Sequence, residues 1–301
     1  MPTSGRLVLP WTVRAVRSVL RRLPRGRYCA LSTIAPRRGR FVGALADDLG
    51  GARFDCDLSD QLSREVCFTG LYEPPVTRVF QQQLHAGSAA VDAGANWGYF
   101  TLVAAAAVGD RGRVISLEPD PRQYEALTRN VALNGFAHVQ SMQMAAAAGT
   151  GHMTLVGYAD TDANRGITSI ATSAGSQGNR RFDVPASSLD DLTGALPSID
   201  IVKIDVEGAE DLVIAGMRDG LASRRYRSVL LELHPSLLQA RGVDPHSCIR
   251  ALLDHGYRGW TIDATPAVYR RAMNPAIAAD ALLRPLDEWR NAAWPHLLWL
   301  C

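Results

Sequence analysis

The stretch Val91 to Gly98, written VDAGANWG, joins the end of an apolar run to two glycines four residues apart. Such a run predicts a buried strand that leads through a tight turn into a helix. Glycines at 94 and 98 let the backbone of this turn approach a ligand closely, because no Cβ atom blocks it. The spacing differs from the G-x-G-x-x-G pattern that seats a pyrophosphate. With Asp92 before the first glycine, the turn suits a ligand that carries an ammonium or carboxylate group.

A second acidic residue, Glu118, ends the next apolar run along the chain, 24 residues after Gly94. This separation is typical of a carboxylate that accepts hydrogen bonds from both hydroxyls of a ribose. The turn and the carboxylate together predict a site for a nucleoside-type ligand.

A third motif, Lys203-Ile204-Asp205-Val206-Glu207-Gly208, contains the only lysine among the 32 Lys and Arg residues. In a strand, Lys203 and Asp205 point to the same side, and a buried lysine needs a carboxylate or a ligand as its partner. One interpretation is a structural ion pair with Asp205 or Glu232. The other is a functional role that requires a lysine, and it is favoured because arginine forms structural ion pairs at least as well.

The elements that position these motifs alternate between strand and helix from about residue 75, which predicts a doubly wound α/β fold with a mostly parallel sheet. Strands are predicted at residues 89–92, 113–118, 139–144, 199–205, 228–233, 260–262 and 296–300, and helices at 75–86, 97–108, 121–134, 209–218 and 244–255. Ligands of such sheets bind beyond the carboxyl ends of the strands. We therefore expect Asp92, Glu118, Asp205 and His234 to converge on one crevice. Residues 150–186 are polar, with short strand-like pieces, and are predicted to pass over the sheet.

The N-terminal region is basic, since residues 1–46 contain ten arginines and no Asp or Glu. Apolar residues recur there at helical spacing, at Val13, Val16, Leu20 and Leu23, which predicts a basic amphipathic helix. This helix either packs on the main domain or lies on an anionic membrane surface, and the composition also resembles an organelle transit segment. A hairpin is predicted over residues 41–70. Residues 1–70 are thus interpreted as an extension and residues 71–301 as the main domain.

The overall composition is that of a soluble globular protein, and a net charge of +2 does not demand a nucleic-acid partner. No apolar run is long enough to span a bilayer and no secretory signal is evident, so a cytoplasmic location is expected. The five cysteines are odd in number and lack C-x-x-C spacing. They are predicted to be reduced thiols that form neither a disulfide nor a zinc site.

Taken together, the motifs resemble the FkbM-type family of S-adenosylmethionine-dependent methyltransferases. The resemblance covers about residues 70–235 and rests on YEPP, VDAGANWGYFTL, VISLEPDPRQYEALTRNVALNG, SSLDDL and above all IDIVKIDVEGAEDLVIAGM. It implies a Rossmann-like class I methyltransferase fold with a seven-stranded sheet. It also implies S-adenosylmethionine as the cofactor and O-methylation of a hydroxyl on a sugar, a glycan or a secondary metabolite.

The resemblance assigns roles to individual residues of the motifs. The methionine part of the cofactor is assigned to Asp92, Gly94, Asn96 and Gly98, the ribose to Glu118, and the adenine to the neighbourhood of Ala145. The predicted cofactor site is completed by Glu73, Tyr99, Pro119 and Asp205.

Methyl transfer from a sulfonium requires an acceptor hydroxyl that is aligned and relieved of its proton. Asp205, Glu207 and His234 are the candidate bases, and Asp205 comes first because it ends the strand nearest the expected methyl group. Lys203 is predicted to orient the acceptor or to stabilise the developing alkoxide. Asp205 and Glu232 could also hold magnesium or calcium, but no third ligand is evident and no metal is predicted.

Two other functions compete with this hypothesis. An NAD(P)-dependent oxidoreductase uses the same early strands, but it needs a third glycine and a Tyr-x-x-x-Lys pair that the sequence lacks. A non-catalytic scaffold that kept the cofactor site is the other alternative. The acceptor is expected to bind on the side of residues 150–186 and the N-terminal region, where Arg165, Arg180 and Arg181 indicate an anionic or sugar-rich acceptor.

Overall fold

The apolar runs between the motifs form short buried strands, and the amphipathic runs form helices that cover them. A computed structural model describes residues 9–22, 36–157, 168–170 and 180–301. Its strands are β1 (Arg40–Ala44), β2 (Arg53–Asp57), β3 (Ala89–Ala93), β4 (Arg113–Leu117), β5 (Val139–Met142), β6 (Ala145–Ala146), β7 (Gly151–Gly157), β8 (Thr168–Ile170), β9 (Arg180–Ser187), β10 (Ile201–Ile204), β11 (Ser228–Glu232), β12 (Arg258–Ile262), β13 (Leu283–Pro285) and β14 (His296–Leu300).

The α-helices of the described residues are α1 (Trp11–Arg22), α2 (Gln61–Thr69), α3 (Pro74–Gln82), α4 (Tyr99–Val108), α5 (Pro121–Asn134), α6 (Leu189–Thr193), α7 (Glu210–Ala215), α8 (Arg218–Ala222), α9 (Pro235–Ala240), α10 (His246–Asp254) and α11 (Pro266–Ala272). Short 3₁₀ helices lie at Asp47–Leu49, Ala279–Leu282 and Leu286–Asn291. Helix α5 begins at Pro121 after the N-cap Asp120 and ends at Asn134, and the Gly135 that follows adopts a left-handed conformation.

Among the residues that the structure describes, the central sheet has eight strands in the order β13–β12–β14–β11–β10–β3–β4–β5. The five strands from β11 to β5 are parallel, and the pairings β11–β14, β14–β12 and β12–β13 are antiparallel. The predicted α/β fold is confirmed, but the prediction of seven strands was one too few. Strand β13 was missed because it has only three residues and ends in a proline, which is typical of an edge strand.

The strand order reverses between β3 and β10, which creates the crevice that the sequence predicted. Strands β4 and β5 follow β3 on one side, and β11 follows β10 on the other. At such a reversal the loops after the two central strands diverge and leave room for a ligand. The turn after β3 and the loop after β10 therefore face each other across this crevice.

Residues 145–187 contain a second, four-stranded sheet in the order β6–β9–β7–β8. Strand β7 pairs with β9 from Gly151–Ala186 to Gly157–Arg180, and β6 connects this sheet to the end of β5. The described parts of the predicted excursion over residues 150–186 thus contribute most of a small sheet that begins beside the crevice. Arg165 lies outside the described residues.

The described residues of the predicted N-terminal extension pack against those of the predicted main domain, and Leu45 and Phe54 lie in the same core cluster as Phe100. Strands β1 and β2 form the predicted antiparallel hairpin, but helix α2, capped by Asp60, was not predicted. In α1, Val13 is fully buried, and the guanidinium Nε of Arg17 donates to the carbonyl oxygen of Cys67 at 2.6 Å. The interpretation of α1 as a helix packed on the domain is therefore supported, while its contact with a membrane stays a prediction. In the parts of the chain that the structure describes, every helix is too short or too polar to cross a membrane.

The prediction that all cysteines are reduced thiols was wrong, because Cys56 and Cys67 form a disulfide. Their sequence separation of 11 gave no recognisable motif, and only the packing of α2 on β2 brings the two sulfur atoms together. Among the described residues, Cys248 and Cys301 are free thiols. The cytoplasmic location stays a prediction.

Candidate active site

Two cavities lie at the crevice, and we refer to them as the apolar cavity and the acidic cavity. The apolar cavity has a volume of about 620 Å³ including open solvent, and its hydrophobic wall consists of Leu117, Met144, Ala145, Met153, Leu155 and Ile170. Glu118 and Pro119 line it beside this wall, and Asn96 and Asp205 line it as well. A cavity of this size and polarity is typical of a site for a cofactor or a drug-sized ligand.

Glu118 is held in place by backbone groups from two loops. Its Oε2 atom accepts a hydrogen bond from the backbone N–H of Asn96 at 2.7 Å, and its Oε1 atom accepts one from the backbone N–H of Asp120 at 2.8 Å. Burial raises the pKa of Glu118 to about 8, although these two hydrogen bonds oppose the shift. Each carboxylate oxygen has a second lone pair, so the side chain can still accept hydroxyl donors from a ligand.

The two glycines of the turn are needed for packing as well as for conformation, which the sequence argument missed. Both have positive φ, 83° at Gly94 and 86° at Gly98. A Cβ atom at Gly94 would lie 1.7 Å from the carbonyl oxygen of Asp205, and one at Gly98 would lie 2.6 Å from a methyl group of Leu127. Close contact with the loop after β10 therefore excludes a side chain at Gly94, and close contact with α5 excludes one at Gly98. Both exclusions hold whether or not a ligand is bound.

Asp92 lies beneath the crevice and not on its surface. Its Oδ2 atom accepts a hydrogen bond from the Thr101 hydroxyl at 2.6 Å, and its side chain is buried away from both cavities. It pairs with Lys203 across β3 and β10. Burial raises the pKa of Asp92, although Lys203 and Thr101 act in the opposite direction. The assignment of Asp92 to the cofactor stays a prediction, and its observed contacts are with the residues that support the crevice.

The acidic cavity, of about 1060 Å³ including open solvent, lies on the other side of the turn after β3. Carboxylates line it at five positions, Asp60, Glu73, Asp205, Glu207 and Glu232. Lys203 and His234 are also present, together with aromatic side chains at Tyr72, Tyr99, Phe100 and Trp294. Four residues, Gly94, Asn96, Asp205 and Glu207, line both cavities. The two cavities therefore meet at the carboxyl ends of β3 and β10.

Lys203 and Asp205 form an ion pair at this junction, with 2.9 Å between Nζ and Oδ2. Burial lowers the pKa of Lys203, but the carboxylates of Asp205, Asp92 and Glu232 outweigh this effect and leave the pKa above its ordinary value. Burial raises the pKa of Asp205, and the positive charge of Lys203 outweighs it, so that this pKa is lowered. Asp205 is therefore ionised at neutral pH and has little tendency to take up a proton.

His234 and Glu207 form a second pair, with 3.3 Å between Nε2 and Oε2. The Nδ1 atom of His234 lies 2.8 Å from Oε1 of Glu210, which is fully buried. Burial lowers the pKa of His234, but Glu210 and Glu207 raise it to about 9, so the imidazole is protonated at neutral pH. Burial and the nearby charge of Asp205 raise the pKa of Glu207 to about 7.

The structure brings nearly all predicted site residues to the two cavities. The apolar cavity contains Gly94, Asn96, Glu118, Pro119, Ala145 and Asp205, and the acidic cavity contains Glu73, Tyr99, Lys203, Glu207 and His234. Asp92 and Gly98 line neither of them.

Residues from the flanking segments were missed, including Met153 and Ile170 in the apolar cavity and Tyr72 and Trp294 in the acidic one. Only the motif YEPP, which begins with Tyr72, gave a signal for this part of the site.

Arg180 was predicted to face the acceptor, but it lies on the side of the apolar cavity. Its guanidinium contacts Oδ2 of Asp120 at 2.6 Å, and the backbone N–H of Asp120 holds Glu118. Neither Arg180 nor Arg181 lines the acidic cavity. The contact of these arginines with an acceptor stays a prediction.

The apolar cavity fits S-adenosylmethionine in the chemistry of its donors and walls. Its hydrophobic wall suits a purine ring, and the anchored carboxylate of Glu118 suits the two hydroxyls of a ribose. Asn96 and Asp205, both polar, lie where the cavity continues towards the acidic cavity. The residues present therefore match a ligand with an apolar ring, a diol and a charged end.

Comparison with known proteins agrees with this chemistry. A sequence model of the methyltransferase FkbM domain matches residues 92–258, more than half of the chain. Methyltransferase sdnD of Sordaria araneosa is 31% identical over 156 residues, which cover 42% of this chain and 59% of that protein.

Solved structures of methyltransferases are also similar. Methyltransferase FkbM from Methylobacillus flagellatus KT has a TM-score of 0.44 at 16% identity, covering 86% of this chain and 56% of that one. Fibrillarin of Aeropyrum pernix, solved with natively bound S-adenosyl-L-methionine, has a TM-score of 0.39 at 13% identity, covering 90% of this chain and 86% of that one. The chain thus spans less than two thirds of the length of the sdnD and Methylobacillus proteins.

The region matched by the family model includes the turn after β3, Glu118 and the motif from Lys203 to Gly208. The match therefore covers the residues that join the two cavities. On this basis the chain belongs to the FkbM family of methyltransferases, and its cofactor is S-adenosylmethionine.

Proposed function

We propose that this protein transfers a methyl group from S-adenosylmethionine to a hydroxyl of a small-molecule acceptor, a sugar, glycan or secondary metabolite. The observation that carries the proposal is the junction of the two cavities at Gly94, Asn96, Asp205 and Glu207. One cavity has the chemistry of a nucleoside site, and the other is large enough for a second ligand. Their junction is the place where a cofactor and an acceptor would meet.

The acidic cavity suits an acceptor that is rich in hydroxyl groups. Carboxylates accept hydrogen bonds from hydroxyls strongly, and five of them line this cavity. The indole of Trp294 is 61% exposed and offers a flat apolar surface at the rim. A polyhydroxylated ring has a polar edge for the carboxylates and a less polar face for the indole, and so matches both features.

S-adenosylmethionine supplies an electrophilic methyl group on a sulfonium, so the protein has to align the acceptor hydroxyl and take up one proton. We place the proton acceptor at Glu207. It lines both cavities, and its pKa of about 7 lies near neutral pH, where a general base is most effective. Asp205, with its lowered pKa, is the weaker base and instead holds the Lys203 ammonium in place.

Protonated His234 supports this assignment, because it lies 3.3 Å from Glu207 and is itself fixed by Glu210. It orients the Glu207 carboxylate and stabilises its ionised form before the proton is taken up. The Lys203 ammonium lines the same cavity and can stabilise negative charge that develops on the acceptor oxygen. In this arrangement Glu207 takes up the proton, Lys203 places a positive charge near the acceptor oxygen, and His234 places a positive charge beside Glu207.

The cofactor is tested by calorimetric titration with S-adenosylhomocysteine and, separately, with NAD and NADP. We expect micromolar binding of S-adenosylhomocysteine and no saturable binding of the two dinucleotides. Binding of NAD without binding of S-adenosylhomocysteine would favour the oxidoreductase hypothesis.

The reaction is tested with methyl-labelled S-adenosylmethionine and a panel of sugars, glycosides and phenols. We expect label in a hydroxyl of at least one acceptor, with Glu207→Gln reducing the rate at least a hundredfold. Binding of S-adenosylhomocysteine together with transfer only to amine or carbon acceptors would contradict O-methylation. Binding without any transfer would favour the scaffold hypothesis.

A further inference from the structure

Three side chains from separate segments point their ligand atoms at one place beside the acidic cavity. Glu73 precedes α3, Glu232 ends β11, and His296 begins β14. The Nε2 atom of His296 lies 3.0 Å from Oε2 of Glu232 and 3.4 Å from Oε2 of Glu73. The ligand atoms of the three residues all lie within 4.8 Å of one another.

His296 faces two carboxylates at once. Its Nε2 atom is inaccessible to solvent, carries at most one hydrogen, and lies close to one oxygen of each of the two glutamates. A single N–H points fully at only one of these oxygens, whereas one cation can be bound by the nitrogen and both oxygens together. Two atoms that both bind one ion at about 2.1 Å, with an angle between 90° and 110°, lie about 3.0 to 3.4 Å apart.

The three residues are fixed by the fold. Glu232 and His296 are direct partners in the antiparallel pairing of β11 and β14, so their side chains lie on the same face of the sheet. Glu73 has a left-handed backbone with φ of 41°, and the helix that it precedes begins with two prolines. A site on paired strands and a rigid turn needs little rearrangement to bind a ligand.

We propose that Glu73, Glu232 and His296 bind a divalent cation, of which manganese and zinc are the best matches. Two carboxylates and one imidazole suit these ions better than magnesium or calcium, which favour sets made only of oxygen ligands. A second cluster, Asp205, Glu232 and His234, shares Glu232. It is the weaker candidate, because Asp205 is paired with Lys203 and His234 with Glu210.

The position of the site indicates what a bound cation would do, and this part of the inference rests on the proposed function. Glu73 and Glu232 line the acidic cavity, where the acceptor is placed. Three protein ligands leave coordination positions open, so the ion can bind an acceptor oxygen directly. A cation there would orient a hydroxyl and lower its pKa, which makes its proton easier to transfer to Glu207.

The binding of the ion is tested with manganese alone, without acceptor or cofactor. After treatment with a chelator and its removal, the protein is titrated with Mn²⁺ and free Mn²⁺ is followed by electron paramagnetic resonance. We expect one saturable site in the wild type. Glu232→Gln and His296→Gln should each weaken binding at least tenfold, and zinc should compete.

A matched control is Asp244→Asn. Asp244 and His246 are an exposed carboxylate–histidine pair, with 3.0 Å between Asp244 Oδ1 and His246 Nδ1, and the variant removes the carboxylate of this pair. This variant should bind Mn²⁺ like the wild type. Each sample is also titrated with S-adenosylhomocysteine to show that the fold is intact. If His296→Gln fails to fold, Glu73→Gln takes its place, because Glu73 lies on a turn outside the sheet.

Absence of saturable Mn²⁺ binding in the wild type, or unchanged binding in both Glu232→Gln and Glu73→Gln, would overturn the proposal. The outcome is independent of the proposed function, since S-adenosylhomocysteine binding without Mn²⁺ binding leaves the methyltransferase function in place. Mn²⁺ binding without S-adenosylhomocysteine binding would support the cation site and contradict the proposed function.

Discussion

The Nζ atom of Lys203 lies 2.9 Å from Oδ2 of Asp205 and 4.7 Å from the centre of the Phe100 ring. The ammonium is thus enclosed between a carboxylate and an aromatic face, and its side chain is almost fully buried. A guanidinium is larger and planar, and it cannot occupy this space without displacing one of the two.

Lys203→Arg should therefore reduce the rate of methyl transfer at least tenfold while the positive charge is preserved. The dissociation constant of S-adenosylhomocysteine, measured by calorimetry, should change less than threefold. Arg284→Lys is the matched control, because it exchanges the same two residue types in an ion pair with Asp263, which lines neither cavity. Full activity of Lys203→Arg would make Lys203 a structural residue.

Cofactor affinity should depend on pH through Glu118. Its pKa of about 8 means that the carboxyl is mostly protonated at pH 7, whereas ribose hydroxyls bind best to the ionised form. The dissociation constant of S-adenosylhomocysteine should therefore fall as pH rises from 6 to 8, by up to about tenfold per unit, and level off above pH 8. Calorimetry at several pH values measures this. The Glu118→Gln variant should bind more weakly with a flatter profile, and an equally steep profile in that variant would assign the effect to another group.

Arg180 should affect the cofactor and not the acceptor. Its ion pair with Asp120 supports the loop that holds Glu118, so Arg180→Ala should weaken S-adenosylhomocysteine binding several-fold. Arg181→Ala removes the neighbouring exposed guanidinium and is the matched control, with an affinity equal to that of the wild type. A changed acceptor KM with unchanged cofactor affinity in Arg180→Ala would contradict this assignment.

Trp294 should affect the acceptor and not the cofactor, since it lines only the acidic cavity. Trp294→Ala is expected to raise the acceptor KM at least fivefold and to leave the dissociation constant of S-adenosylhomocysteine unchanged. Trp11→Ala, which removes another exposed indole from α1, controls for a general surface effect. Steady-state kinetics with an acceptor from the panel provide the measurement, and an unchanged KM would place the acceptor elsewhere.

The disulfide between Cys56 and Cys67 should contribute to stability. A closed loop of this length is worth about 3 kcal/mol in the free energy of unfolding. Urea unfolding of Cys56→Ser should show a loss of about this size, and dithiothreitol should destabilise the wild type but not the variant. Cys301→Ser, at an exposed free thiol, should match the wild type. Equal stability of the wild type in oxidised and reduced forms would show that the bond is dispensable.

Several parts of the site could be predicted because local sequence determines them. The turn after β3 requires glycine at positions 94 and 98 for its backbone conformation, and Glu118 follows at a spacing that one helix and one strand determine. The ion pair of Lys203 and Asp205 follows from alternation along a strand. These features depend on residues close together in sequence, so their pattern is visible without a structure.

Other parts required long-range contacts. Glu73, Glu232 and His296 are distant in sequence and meet only because β14 inserts beside β11 in an antiparallel direction. Cys56 and Cys67 meet because α2 packs on β2. The choice of Glu207 over Asp205 and His234 as the general base also required the structure, because burial and neighbouring charges set the pKa values of these three residues.

The sequence by itself thus determined the alternation of strands and helices, the cofactor turn and the family resemblance. Each follows from periodicity or from spacing within one strand, turn and helix. Only the tertiary structure decided which side chains share the acidic cavity, which carboxylate can act as a base, and which histidine faces two glutamates. Those properties depend on distances and burial between segments that the order of residues along the chain does not specify.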